Sequence, residues 1–132
     1  MMKTNRWLLM DGAILGFTSV LAGALLDHAA ASLVVQQHAA DTALRYHQVQ
    51  AAVVTALGLV LAFVPLEQRD HNRLILSARL LLVGTFIFCG SLYAFALTGA
   101  KFAAYATPVG GVTMMLGWLA IIWTVLRYRP ST

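Results

Sequence analysis

Apolar residues do not alternate along this chain or keep to one helical face. They come in four nearly unbroken runs, Trp7 to Ala29, Leu44 to Val64, Leu74 to Leu97 and Pro108 to Leu126. Each run approaches or exceeds the roughly 20 helical residues needed to cross a hydrocarbon core. Polar residues collect in the connections: Ala30 to Ala43, the charged "PLEQRDHNR" from Pro65 to Arg73, and Thr98 to Thr107. The pattern predicts an all-α integral membrane protein, a single domain over residues 1–132 built as a four-helix up-down bundle.

The joints carry different amounts of signal. Pro65 stops the second run, and Thr107 followed by Pro108 is a favourable N-cap and first-turn pair for the fourth. The connection after the first run, "AAASLVVQQHAADTA", is weakly amphipathic and reads equally as a short surface helix or a loop. A basic start, an apolar run and "AAAS" also resemble a signal peptide. The length of the run and the aspartate inside it favour a retained first span.

Small residues recur at helical spacing in every span, the pattern by which membrane helices approach closely. Gly12, Gly16, Ser19 and Gly23 form such a stripe, as do Ala51, Thr55, Gly58 and Ala62. In the third span Ser77, Gly84, Ser91 and Thr98 repeat every seven residues with Gly90 beside them, and Gly110, Thr113, Gly117, Ala120 and Thr124 mark the fourth.

Composition agrees with the pattern: 60% of residues are hydrophobic and 11% charged, against about 25% charged in soluble domains. The nine cations are distributed unevenly. Lys3, Arg6, Arg69, Arg73, Arg127 and Arg129 fall on one side of a four-span threading, with Arg79 just inside the membrane, and Arg45 and Lys101 fall on the other. Because cations near the membrane stay cytoplasmic, both termini are expected in the cytoplasm. The net charge of +4 follows from this bias and calls for no nucleic-acid partner.

Candidate chemistry is sparse. Asp11 and Arg79 each lie about one turn inside a span from the same side. An ion pair joining the first and third helices is the expected resolution, with separate snorkelling to the headgroups as the alternative. His28 and His47 near the outer boundary, with His38 between them, are conceivable haem or metal ligands. The spacing matches no ligand pattern, and interfacial polar residues need no further explanation, so no cofactor or metal is expected. Cys89 stands alone and reads as a packing residue. Trp7, Trp123 and Tyr128 fall where interfacial anchors belong, and Trp118 is more central.

The stretches "CGSLYAFALTG" at Cys89 to Gly99 and "TPVGGVTMMLGW" at Thr107 to Trp118 resemble the small four-helix membrane family called domain of unknown function 423, or transmembrane protein 256-like. Gly90, Ser91, Tyr93, Thr98, Gly99, Thr107, Pro108, Gly110 and Gly111 carry the likeness. "LAGALLDHA" and "TALRYHQVQAA" agree more loosely. Where the family has Tyr-His opening the second span, this chain has Val49 and Gln50, with His47 a turn earlier. The resemblance implies a bacterial inner-membrane location, with the mitochondrial inner membrane as second choice, and no activity.

Two functional expectations follow. One is a non-catalytic accessory or assembly subunit docking on a larger membrane complex, for which a respiratory assembly is a fitting host. The other is a small transporter or oligomeric pore using Asp11 and Arg79. Membrane lipid and other integral membrane subunits are the expected partners, with self-association left open.

Overall fold

A computed structural model describes the chain over residues 3–28 and 34–130. It contains four long helices: α1 Lys3–His28, α2 Val34–Phe63, α3 Gln68–Thr98 and α4 Thr107–Arg127, with a 3-10 helix at Lys101–Ala106 before α4. All four are long and apolar enough to cross a membrane. At 1.5 Å per residue α4 is about 31 Å long, close to the hydrocarbon thickness, whereas α2 and α3 reach about 45 Å and must extend beyond it.

That surplus lies in residues expected to be connections. α2 begins at Val34, ten residues before the apolar run, so most of the Ala30 to Ala43 connection is helix continuous with α2. The segment contains neither Gly nor Pro. Its inward face has a partner, because Ala39 and Ala40 are buried with Ala96 of α3, against Leu26, Leu92 and Phe95. Residues 29–33, including the "AAAS" stretch, lie outside the described ones. α3 likewise starts at Gln68 rather than Leu74, with Asp70 in its first turn, where the helix dipole favours an acid.

The helix ends follow local chemistry. Pro65 follows directly on the last turn of α2. Gly99 closes α3 in the left-handed conformation, φ 70°, its N–H donating to Phe95 O at 2.8 Å. Thr107, expected to cap α4, is its first residue and makes no capping bond. Its hydroxyl is instead 2.6 Å from Ser91 Oγ, tying the start of α4 to α3.

Packing runs between neighbours in sequence: α1 on α2, α2 on α3, α3 on α4. Each pair is antiparallel. Gly12 lies against Thr55 and Gly23 against Leu44, Ala43 meets Cys89, and Gly84 meets Met114 while Gly117 meets Leu81. No other pair of helices packs extensively among the described residues, so the up-down bundle is a row of helices with α2 and α3 in its middle. The core, Leu8, Val54, Leu57, Leu61, Leu74, Ala78 and Leu81, draws on α1, α2 and α3, and Ile121 of α4 packs against it.

Candidate functional site

The glycine stripes divide into those that seat a neighbour and those that do not. A methyl group on Gly12 would come within 2.8 Å of Thr55 N, and one on Gly58 within 3.2 Å of Leu9 N, so the backbones of α1 and α2 approach closely along this seam. On the α3–α4 seam Gly84 faces Met114 and the Gly110 carbonyl, Gly110 lies on the Phe88 backbone, and Gly117 on Leu81. Gly23 and Gly111 make ordinary contacts with Leu44 and the Phe88 ring, and Gly16 and Gly90 face open space. Gly16 lies in a shallow groove between α1 and α2, walled by small side chains that include Ala13, Ser19, Ala52 and Ala56.

A polar chain crosses three helices near the end opposite most of the cations. His47 of α2 is buried, with Nε2 3.1 Å from Thr18 Oγ1 of α1 and Nδ1 3.0 Å from the Tyr93 hydroxyl of α3. Thr18 has a single proton, and Ile14 O lies 2.8 Å from its hydroxyl. The hydroxyl therefore donates to that carbonyl and accepts from Nε2–H, which leaves Nδ1 to accept from Tyr93. In this arrangement a neutral His47 is fully used, and neither ring nitrogen has a lone pair free for a metal or haem.

One helical turn further along α2, Gln50 is only 2% exposed, and its Oε1 has no hydrogen-bond partner. Cys89 donates to Ala43 O at 3.3 Å, a packing contact between α2 and α3. His28 and His38 are exposed. No group of three or more His, Cys, Asp or Glu gathers among the described residues.

The expected ion pair between Asp11 and Arg79 is not formed. Arg73 with Asp70, at 3.2 Å within the first turns of α3, is the only ion pair among the described residues. The reason is the row arrangement. α1 packs on α2 rather than α3, and Arg79 lies on the exposed arc of α3 that also carries Leu76, Val83 and Phe86. Asp11 is half-buried on α1, on the face shared by Leu15 and Thr18.

The motif residues have structural work. Ser91 bonds Thr107 across α3 and α4, Tyr93 holds His47, and Thr98 Oγ1 donates to Ala94 O and accepts from the Ala100 amide beside the Gly99 cap. Pro108 sits in the first turn of α4. Residues 22–111 match the family model described as "Protein of unknown function (DUF423)". The chain belongs to the DUF423 family. It is similar to the "UPF0382 inner membrane protein YgdD" of Escherichia coli strain K12, 32% identical over 96% of this chain and 94% of that protein. It is also similar to a "UPF0382 membrane protein" of Haemophilus influenzae, 29% identical over 84% and 86% of the two chains. "UPF0382 membrane protein YwdK" of Bacillus subtilis strain 168 is 30% identical over 66% and 68%. No solved structure matches the chain. With four membrane-spanning helices and relatives of this kind, this DUF423 member is a multi-pass protein of the bacterial inner membrane.

Proposed function

We propose that this DUF423 protein is a non-catalytic accessory or assembly subunit that docks through its α1–α2 face onto helices of a larger inner-membrane complex, with both its termini in the cytoplasm. The observation that carries this reading is the unfilled groove at Gly16. Along α1, Gly12 seats Thr55 of α2, but Gly16, one turn on, has nothing within 4 Å of where a side chain would begin. Small residues from both helices surround it. In lipid, exposed small-residue faces of this kind are where another helix packs closely, because association there depends on close packing rather than on hydrophobic burial.

α1 also stands at the end of the row, packed extensively only on α2 among the described residues, with Phe17, Val20 and Leu25 exposed beside the groove. Of the polar groups that chemistry would use, His47 is engaged in holding helices together by Thr18 and Tyr93. A respiratory assembly is one host compatible with the location. The alternative is a small transporter or oligomeric pore using Asp11 and Arg79, which do not pair with each other.

Gentle detergent extraction followed by native mass determination tests the proposal. Stoichiometric foreign subunits are expected, and a closed homo-oligomer would favour the pore instead. Gly16→Leu, whose Cβ has nothing within 4 Å inside the fold, should keep the wild-type thermal midpoint while losing the co-purifying partner. Retention of the partner by that variant would remove the groove from the interface.

A further inference from the structure

A second groove lies at the other end of the row, between α3 and α4. Leu76 of α3 and Leu119, Ile122, Trp123 and Leu126 of α4 line it, and Arg73 is its only charged wall. Its volume, about 550 Å³, is within the range of about 300–1,000 Å³ typical of small-molecule sites. The Arg127 guanidinium lies 4.5 Å from the centroid of the Trp123 ring, so a second cation is held against a residue that forms the wall. The Arg73 side chain gives one donor, Nη1, to Asp70 and makes no other hydrogen bond among the described residues, which leaves the rest of its fork for a ligand. Arg69 and Arg129 belong to the same end of the two helices.

We propose that this groove is a site for one anionic glycerophospholipid, its phosphate held between Arg73 and Arg127 and an acyl chain lying along Leu76, Ile122 and Leu126. Charge complementarity and shape select this occupant. A zwitterionic lipid gains less from two guanidiniums whose one ion-pair partner among the described residues is Asp70, already bonded to Arg73. A transmembrane helix of a partner would have to bury both guanidiniums, whereas a headgroup phosphate meets them at the depth where they already sit. Planar guanidinium forks suit phosphate oxygens, and anionic lipids recur at basic pockets between helix ends. The site is on the opposite side of the row from the Gly16 groove and stands independently of the docking proposal.

The test is native mass spectrometry of the full chain in neutral detergent, titrated with dioleoyl phosphatidylglycerol or dioleoyl phosphatidylcholine. The expected result is retention of a single phosphatidylglycerol at tenfold or more lower concentration than phosphatidylcholine. Arg127→Gln should weaken that preference about fivefold, the equivalent of one interfacial cation, and Arg127→Lys should keep much of it. Arg73→Gln should do the same as Arg127→Gln. Because Arg73 also neutralises buried Asp70, the Asp70→Asn, Arg73→Gln double variant separates lipid binding from loss of the fold. Arg129→Gln at the same end and Lys101→Gln at the other should change nothing. Equal binding of the two lipids overturns the proposal, as does an Arg129→Gln effect as large as that of Arg127→Gln. Competition by glycerol 3-phosphate or inorganic phosphate at the same concentration as the lipid would show a plain anion site and remove the groove from it.

Discussion

Asp11 and Arg79 show how a membrane helix can carry a charge without a partner. Arg79 has a long apolar stem, and from an exposed position it can lay that stem along Leu76 or Val83 and extend its head toward the headgroups. The aspartate is too short for that. It sits half-buried on the face of α1 that also presents Thr18, without a hydrogen bond or ion pair among the described residues. With no direct bond between them, Asp11→Asn and Arg79→Gln should be additive. The thermal-unfolding loss of the double variant should equal the sum of the single losses within about 0.5 kcal/mol. A double variant markedly more stable than that sum would mean the two charges meet in the membrane after all. His47 is the contrast: a residue read from the sequence as interfacial decoration is the centre of a bond network spanning three helices. Its partners lie 29 and 46 residues away, a pairing that no local spacing announces.

At the scale of elements, the sequence shows its spans more clearly than their ends or their neighbours. The apolar runs locate the centres of all four helices because lipid requires a continuous apolar surface there. The first turns of α2 and α3 are legible only in part, since they are polar enough for water; α2 is helical there while Ala39 and Ala40 pack on Ala96 near the far end of α3. Small-residue stripes are visible as well, but they do not say which helix they face. Gly84, Gly110 and Gly117 are filled by the α3–α4 seam, while Gly90, beside the α3 stripe in sequence, faces away. That difference is measurable. Gly110→Ala puts a methyl group 2.8 Å from Phe88 Cα, against backbone that cannot move independently of α3, and should cost about 1–3 kcal/mol of stability. Gly90→Ala meets nothing and replaces a poor helix former with the best one, so its effect should be neutral or slightly stabilising. Thermal unfolding in detergent reads both, and equal losses would place a partner surface over Gly90.

At the scale of the molecule, four membrane-crossing helices put both ends of the chain on one side, and charge decides which side that is. Six cations, Lys3, Arg6, Arg69, Arg73, Arg127 and Arg129, belong to the end that holds the two termini and the α2–α3 joint, and Arg45 and Lys101 to the opposite end. Charged side chains near the spans resist translocation, and Lys and Arg dominate that effect, so the richer end should remain cytoplasmic. Part of this charge has structural duties: Arg73 neutralises Asp70 and Arg127 lies on Trp123. The orientation signal is therefore built into the α3–α4 pair and is not confined to the tails. A cytoplasm-dependent fluorescent reporter fused after Thr132 should be bright, and a periplasm-dependent phosphatase there should be silent. Inserted between Ala100 and Lys101, the two reporters should exchange behaviour. Replacing Lys3 and Arg6 with Gln should leave this pattern intact, because Arg69, Arg73, Arg127 and Arg129 still outnumber the cations on the other side. An inverted pattern in that variant would show that α1 alone sets the orientation, and an inverted pattern in the unmodified chain would place both termini outside.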